Sequence, residues 1–442
     1  MKKIVLLLMC CLGIFGSVSA ANVSKSMVLQ VAIKACNLVS SSDFSSKKYQ
    51  IEPISYQGEL CYYLVQFQPE GWALVSADDQ VAPIIGYSDK GVFDMEQMPD
   101  ANRFWLNERV EEIKAAKKSL LQGVHPGWNG FQLRASSYDK ITPLIKVEWN
   151  QTGKYAQSCP VDTKGKRAVV GCVAVAIAQA LTIPQYPVQP TGEIGYNDDD
   201  MGLIKVNFDR QAPYDWKLIL SREDDSKELA RFLYHCGVIV QMDYSPDGSG
   251  AHTKDIPKAL KNYFSFSDSV KFYSRSSYSG EWNEMILKEL KAGRAVIYSG
   301  HDPDGNYGHA FNLDGFDGSK SFHVNWGWGG KNNGYYSLDH LHDGNFGYRT
   351  NHQIVVGLIP KNSTTAVEQI KESSPIEVSS PSSSIRIKVE DKGVCRVYDL
   401  SGKLVFVRDV KEGVNTFPFE SKGVYFVHVQ CGKLTSSFKI KK

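Results

Sequence analysis

The run of small apolar residues that follows Cys172 constrains the fold more than any other feature of this sequence. It lies in "VVGCVAVAIAQALTIP", residues 169–184, and leaves no polar face for water, so a helix here is expected to be buried nearly all round. Gly171 precedes the cysteine and Pro184 ends the run. A cysteine in the first helical turn lies at the positive end of the helix dipole, which lowers the pKa of its thiol. A free cysteine is more often a small buried apolar residue, so this stretch alone leaves both interpretations open.

The first 20 residues, "MKKIVLLLMCCLGIFGSVSA", combine a lysine pair, a short apolar run and a small-residue exit. They are typical of a secretory signal peptide cleaved after Ala20. No later segment is long and apolar enough to predict a transmembrane helix. The 442 residues predict more than one domain, and the formal net charge of +2 gives no electrostatic case for binding nucleic acid.

The cysteine count also bounds the chemistry. Nine cysteines are present, and the two in the signal peptide leave seven, so at least one mature thiol is unpaired within the chain. No CxxC pair occurs, which argues against zinc ribbons and thioredoxin chemistry. Cys36 with Cys61, and Cys395 with Cys431, could bridge within their own domains, but sequence leaves both pairings open.

The order of helical and strand patterns predicts an α+β fold. Residues 21–140 mix a helical start, strand-like pieces and a charged helical segment. Over residues 141–361, helical patterns come first and strand patterns with Gly, Asn and Asp turns follow, which predicts segregated lobes. Residues 362–384 have the Ser- and Pro-rich composition of a linker, and residues 385–442 alternate in short strands typical of a small all-β domain.

Three further motifs carry side chains that could complete a thiol active site, because a thiolate nucleophile needs a base and the base needs an orienting group. His309 stands in "YGHAFNLDGF" at the start of an apolar strand, and Asn325 and Trp326 close the next strand in "FHVNWGWGG". Gln151, in "VEWNQTGKYAQSCP", has an amide that can donate to an oxyanion. Each has an ordinary structural explanation by itself: a strand-edge histidine, a tryptophan that caps a sheet, a loop glutamine.

Together, these motifs resemble the streptopain family of papain-like cysteine peptidases. The chain has WNQ ending at Gln151, GCVA around Cys172, GHAF around His309 and NWGWGG from Asn325, in the family's order. Residues 71–93 also resemble the family's propeptide. The helix exit "LTIPQYP" departs from the Lys-Tyr-His type that is usual in the family, which is expected to alter a surface near the site.

The resemblance implies a papain-like catalytic domain over 141–361, with a helical lobe and an antiparallel β lobe, preceded by an inhibitory α+β propeptide over 21–140. It implies a secreted cysteine endopeptidase made as a zymogen, acting on proteins or peptides without a cofactor or metal. The implied roles are as follows: Cys172 is the nucleophile, His309 the base, Gln151 an oxyanion donor with the Cys172 N–H, Asn325 the group that orients His309, and Trp326 the shield of that contact.

The C-terminal segment resembles the sorting domains of the Bacteroidetes type IX secretion system, through "VYDLSGKLV", "KGVYFVHV" and a lysine-rich end. This resemblance implies secretion machinery as a partner and a route through the periplasm to the cell surface or the medium.

Two alternative functions stay open at the level of sequence. A papain-fold acyl transferase would use the same Cys-His pair and pass the acyl group to an amine. A non-enzymatic surface adhesin would carry a decayed peptidase domain, although the intact Gln, Cys, His and Asn set weighs against it.

Overall fold

The computed structural model describes residues 23–118, 123–128, 139–221, 227–301, 308–338, 352–361, 376–380, 383–399, 403–421, 423–432 and 434–441. The chain forms two compact units, Met1–Ser363 and Thr364–Lys442. The signal peptide predicted over residues 1–20 lies outside the described residues. Within the described ranges, no helix has the length and apolar character needed to cross a membrane.

The first part of the larger unit is a four-stranded antiparallel sheet with a helix on each face. Its elements are α1 (Lys25–Val39), β1 (Lys48–Tyr56), β2 (Glu59–Gln68), β3 (Trp72–Ser76), β4 (Ile84–Ser88) and α2 (Asp100–Lys118). Side chains alternate along β2, because successive residues of a strand point to opposite faces. Tyr63 and Val65 pack in the core with α1, whereas Tyr62 and Leu64 pack in the core with α2.

A helical region follows. Its elements are α3 (Cys172–Leu181), β5 (Glu193–Asp198), β6 (Gly202–Asn207), α4 (Trp216–Ile219), α5 (Lys227–Val238) and α6 (Ile256–Tyr263). Every residue of α3 after Cys172 is buried, as the apolar run predicted. Helix α3 packs against α5 and anchors the largest hydrophobic core of the molecule.

The strands predicted for the second half of this unit are also present. The remaining elements are β7 (Lys271–Ser274), α7 (Trp282–Lys291), β8 (Val296–His301), β9 (Gly308–Phe316), β10 (Ser321–Asn325), β11 (Gly334–Ser337) and β12 (Gln353–Val356). The described residues form a mixed fold of helices and antiparallel strands, in which most of the helices come before β8 to β12. Helix α7 packs on β8 and β9, among the strands.

One antiparallel sheet runs through both parts of the unit, in the order β1-β2-β3-β4-β11-β10-β9-β8-β12-β7. The two parts join where β4 pairs with β11, through Tyr87 opposite Tyr335 and Gly86 opposite Tyr336. A Cβ at residue 86 would lie 2.7 Å from the Tyr336 ring, so only glycine fits there without a shift. The sequence patterns did not predict this continuity.

The smaller unit contains only strands among its described residues. They are β13 (Ile376–Ser379), β14 (Ser384–Val389), β15 (Gly393–Asp399), β16 (Leu404–Val410), β17 (Gly413–Pro418), β18 (Val424–Cys431) and β19 (Leu434–Lys441). They form the sheets β13-β14-β17 and β16-β15-β18-β19 around one apolar core. Strand β13 lies inside the segment expected to be a linker, because its pairing with β14 and the burial of Ile376 outweigh the Ser- and Pro-rich composition around it.

The two disulfides left open by the sequence are absent. All seven described cysteines are free thiols, and only Cys172 among them is partly exposed. The Cys36 thiol donates weakly to the Trp72 and Ser88 carbonyls, at 3.5 and 3.6 Å. The described cysteines other than Cys172 therefore serve as buried apolar residues.

Candidate active site

Cys172 is the first residue of α3, and the backbone before it is built around glycine. Gly171, the residue that caps the helix, has φ +87°, a left-handed conformation that residues with a Cβ rarely adopt. A Cβ there would also lie 2.8 Å from the Met242 side chain and 3.0 Å from the Ser249 carbonyl oxygen. Gly171 thus lets the chain turn sharply into the helix with the thiol at its positive end.

His309 is brought to Cys172 by the packing of β9 against α3. It is the second residue of β9, and three residues further on the Asn312 amide donates to the Ala176 carbonyl of α3 at 3.0 Å. The Cys172 thiol and the His309 imidazole are hydrogen-bonded to each other. The structure therefore brings together the thiol and the imidazole predicted from separate motifs.

The surroundings of Cys172 favour the thiolate. Burial raises the pKa of the thiol, but the charge and hydrogen bond of His309, with the backbone N–H groups of Ala310 and Val173, outweigh burial and hold that pKa below its ordinary value. A thiol with a lowered pKa beside an imidazole is the arrangement of an activated sulfur nucleophile.

A backbone carbonyl, rather than a side-chain amide, contacts the Nε2 atom of the His309 ring. Its Nε2 lies 2.9 Å from the backbone carbonyl oxygen of Trp326. The ring also stacks on Trp328, with centroids 6.3 Å apart and planes 22° from parallel, and on Phe311 at 6.4 Å and 19°.

Asn325 and Trp326 occupy different positions from those expected. The Asn325 amide donates to the Val147 carbonyl at 3.0 Å and accepts from the Gly327 N–H at 3.2 Å, so its hydrogen bonds fix the loop rather than the histidine. The Trp326 indole is fully buried, 4.7 Å from the Phe311 ring. Trp328 is therefore the tryptophan that stacks on His309. Trp326 contacts His309 through its backbone carbonyl.

Gln151 lies beside the pair. It is buried, and it lines a cavity of about 380 Å³ together with Cys172, His309 and Trp328. Its carbonyl accepts from the Val170 N–H at 2.9 Å, which ties its segment to the chain entering α3. An amide at this position can donate to an oxyanion formed on a carbonyl attacked by the thiolate.

A second cavity, of about 740 Å³, is also lined by Cys172 and His309. Cys172, His309 and Ser249 line both cavities. The larger cavity runs towards α6 and includes the charged side chains of Asp243 and Lys258. A polypeptide could therefore extend from the reacting pair into both cavities. Among the described residues, no group of three or more His, Cys, Asp or Glu side chains could hold a metal ion.

Helix α2 covers the smaller cavity, which Phe104 and Trp105 help to line. Trp105 is buried, its ring lies 6.2 Å from the His352 ring at an angle of 15°, and it meets Trp326 edge-on at 6.4 Å. Burial lowers the pKa of His352, although the nearby carboxylate of Glu108 on α2 opposes this. The N-terminal part of the chain thus fills space directly beside the catalytic pair.

Sequence reasoning missed Trp328 and His352, which line the smaller cavity with Cys172 and His309. Trp328 lies two residues after Trp326 in the same NWGWGG motif, and no local pattern distinguishes the tryptophan that stacks on the histidine. Ser249 also lines both cavities. His352 stacks on Trp105 of α2, and no local pattern marks it.

Two family models and several known proteins match this chain. Residues 149–336 match the peptidase C10 family, and residues 20–113 match the Spi protease inhibitor family. Streptopain from Streptococcus pyogenes is 30% identical over 350 residues, which are 72% of this chain and 86% of streptopain. The thiol protease/hemagglutinin PrtT from Porphyromonas gingivalis is 31% identical over 316 residues, 66% of this chain, but the chain spans only 36% of that protein. The structure of a prointerpain A fragment from Prevotella intermedia is 28% identical, with a TM-score of 0.58, and covers 71% of this chain and 100% of the fragment.

Proposed function

The chain belongs to the peptidase C10 (streptopain) family and is a cysteine peptidase made as a zymogen, and from this premise we propose that Cys172, His309 and Gln151 cleave internal peptide bonds of proteins. The hydrogen-bonded pair of Cys172 and His309 beneath α2 carries the proposal. The acyl-transferase and adhesin alternatives are not favoured, because the relatives are named proteases and the pair is intact.

In the proposed mechanism, the Cys172 thiolate attacks the carbonyl carbon of the scissile bond and forms a tetrahedral oxyanion. The Gln151 amide and the Cys172 backbone N–H donate to that oxyanion. His309 then gives its proton to the leaving amine, and the C–N bond breaks to leave a thioester. Water attacks the thioester with His309 as base, which releases the acid and restores the thiol.

The catalytic unit is proposed to be a papain-like domain over residues 141–361, with α3 in a helical lobe and β9 in an antiparallel β lobe. Residues 21–140 are proposed to be the propeptide that keeps the enzyme latent. The position of Phe104 and Trp105 in the cavity beside Cys172 supports this role. Release would require cleavage in or near residues 123–140.

A processing experiment tests the catalytic assignment. Cys172→Ala removes one sulfur at a helix start, so the protein should fold and persist at full precursor length, whereas the parent chain should shorten and then cleave a denatured protein. Active enzyme added to the Cys172→Ala precursor should cut it. Maturation of Cys172→Ala in isolation would exclude self-processing. Transfer of the acyl group to an added amine in place of hydrolysis would favour the acyl transferase.

The smaller unit is proposed to be a type IX sorting domain that directs the protein through the periplasm to the surface or the medium. Its separate apolar core and the sorting-like motifs support the proposal. Deleting residues 364–442 should leave purified activity unchanged and, in a host with a type IX system, strand the protein in the periplasm. Normal export of the truncated chain would contradict the sorting role, and loss of purified activity would make the unit part of the catalytic machinery.

A further inference from the structure

Strand β11 has two partners in the zymogen, and maturation would remove one of them. Its inner edge pairs with β10, from Ser321 opposite Ser337 to Val324 opposite Gly334. Its outer edge pairs with β4 of the propeptide. Once the propeptide leaves, the main-chain N–H and C=O groups on that outer edge lose their partners, and an unpaired strand edge is a template for another extended chain.

Asn332 extends this edge beyond the strand. Its side-chain oxygen accepts from the Asp94 backbone N–H at 2.9 Å, and its side-chain nitrogen donates to the Asp94 carbonyl at 3.2 Å. The Asn332 side chain thus offers one acceptor and one donor to the backbone of residue 94, as the main chain of a neighbouring strand would. The recognition is of main chain, so it does not depend on the side chain at residue 94.

The same residue is held rigidly in place. The Asn332 backbone carbonyl accepts from the Tyr336 hydroxyl at 2.7 Å and from the Trp326 indole N–H at 3.1 Å. The residue is 2% exposed and has φ +56°, a left-handed conformation that asparagine tolerates better than most residues. The backbone that carries the side chain is therefore fixed by Trp326 and Tyr336, whereas the amide itself bonds Asp94 and, at 2.9 Å, the Asn102 side-chain oxygen of the N-terminal part.

Side chains along the outer edge of β11 favour particular residues in a bound chain. Gly86 is required opposite Tyr336 because any Cβ would meet that ring at 2.7 Å. The next residue, Tyr87, stacks on Tyr335 with centroids 5.6 Å apart and planes 20° from parallel. A chain bound here would carry a glycine opposite Tyr336 followed by a residue with a flat ring.

The edge is linked to His309 through the core. Tyr336 packs against Trp326 at 5.3 Å, and the Trp326 carbonyl lies 2.9 Å from Nε2 of His309. We propose that the outer edge of β11 and the Asn332 side chain together form an exosite that binds an extended segment of a protein substrate by strand addition. The occupant is substrate because the edge already holds an extended strand of polypeptide, β4, and because Asn332 bonds main chain, which any unfolded protein substrate offers. This proposal rests on the proposed function.

The first test uses mature parent enzyme with two substrates, a denatured protein and a fluorogenic tripeptide amide too short to span cleft and edge. The competitor is a synthetic peptide of residues 82–88, "APIIGYS", and its matched control carries Gly86→Val. We expect the parent peptide to slow protein cleavage several-fold while tripeptide hydrolysis continues, and the control peptide to be about tenfold weaker or worse, because the added side chain clashes with Tyr336.

Three outcomes would overturn the exosite: equal inhibition of both substrates, equal potency of the two peptides, or no inhibition of protein cleavage. A dimer of the mature enzyme that the peptide dissociates into monomers would also overturn the exosite, because the occupant of the edge would then be a second copy of the chain. Failure to cleave either substrate would instead overturn the proposed function, so the two failures are distinct.

The second test changes the enzyme. Asn332→Gly keeps the left-handed backbone and the carbonyl that holds Trp326 and Tyr336, but removes the side-chain clamp. The ratio of kcat/KM for the protein to kcat/KM for the tripeptide should fall about five- to tenfold, as expected for the loss of two hydrogen bonds. Asn197→Ala, on the exposed face of the β5–β6 hairpin, should leave the ratio unchanged. An unchanged ratio in Asn332→Gly would remove Asn332 from the exosite.

Discussion

Cys172 and His309 are hydrogen-bonded to each other but are held by different kinds of structure. The thiol is fixed by neighbours in sequence: Gly171 makes the turn, and the buried helix that follows supplies rigidity. The imidazole is fixed by distant groups, the Trp326 carbonyl and the Trp328 ring. The proposed nucleophile is thus positioned by its sequence neighbours, whereas the proposed base depends on a loop that the N-terminal part of the chain also contacts.

The largest expected effect comes from removing the base. His309→Ala takes away the proton acceptor and the charge that lowers the pKa of Cys172. The value of kcat/KM for a peptide substrate should fall by at least about 10²- to 10⁴-fold, the range for general acid–base catalysis. His428→Ala, in the separate β-rich unit, is the matched control and should retain full activity. Substantial turnover by His309→Ala would remove this residue from the mechanism.

The rates at which different cysteines react test whether the surroundings of Cys172 activate its thiol. The pKa of Cys172 lies below its ordinary 9.0, whereas burial raises the pKa of Cys159 to about 12. At mildly acidic pH, Cys172 should therefore hold a larger fraction of thiolate than Cys159. Limiting iodoacetamide followed by mass mapping should find Cys172 alkylated ahead of Cys159.

The pH dependence of that alkylation has a definite sign. Because the pKa of Cys172 is lowered, its rate of alkylation should rise with pH below the ordinary thiol range. In His309→Ala only burial and the two backbone N–H groups remain, so the rise should move to higher pH. An alkylation profile of Cys172 that does not change in the variant would mean that the imidazole does not activate the thiol.

The proposed oxyanion donor, Gln151, is also positioned by a neighbour close in sequence, since its carbonyl accepts from the Val170 N–H in the segment that enters α3. Gln151→Ala should lower kcat about 10²- to 10³-fold, as expected for one lost oxyanion donor, while KM changes little. Gln430→Ala, at an exposed glutamine of the separate β-rich unit, is the matched control and should leave kcat and KM unchanged. A kcat equal to that of the parent would exclude Gln151 from the oxyanion hole.

Substitution of the two tryptophans of the motif should have different effects, one mainly on stability and the other mainly on activity. Trp326→Ala removes a fully buried indole and should lower the free energy of unfolding by about 3–5 kcal/mol. Trp328 is only half-buried, so Trp328→Ala should cost less stability but lower kcat/KM up to about tenfold by loss of the stacking on His309. Thermal melts and kinetics on both variants check this, and the reverse pattern would return the shielding role to Trp326.

Much of the local side of the site could be predicted from the sequence. The apolar run predicted a buried helix with Cys172 in its first turn, and "GHAFNLDGF" predicted the strand that carries His309. These features follow from residue types acting on their own neighbours.

The remaining features depend on contacts between distant segments. The group that holds His309 is a backbone carbonyl, which every residue has, so no residue type in "NWGWGG" marks it. The pairing of β4 with β11 joins segments about 250 residues apart. Strand β13 was hidden in Ser- and Pro-rich sequence because its partner β14, rather than its composition, determines it.

The smallest expected effect on chemistry, and the sharpest test of the comparison, comes from Asn325. Its amide bonds the Val147 carbonyl and the Gly327 N–H. Asn325→Ala leaves the N–H of buried Gly327 without this acceptor and leaves the Val147 carbonyl with the longer bond, of 3.4 Å, from the Gln179 amide, so it should lower the free energy of unfolding by about 1–3 kcal/mol. If the Trp326 carbonyl holds His309, the variant should keep the parent's pH profile for alkylation of Cys172 below its melting temperature. If Asn325 instead orients the imidazole in the mature enzyme, the profile should move to higher pH, because a misplaced His309 stabilises the thiolate less well. A melting curve and an alkylation profile on the same matured samples separate these outcomes: loss of stability alone assigns Asn325 to the loop, and a displaced profile assigns it to the base.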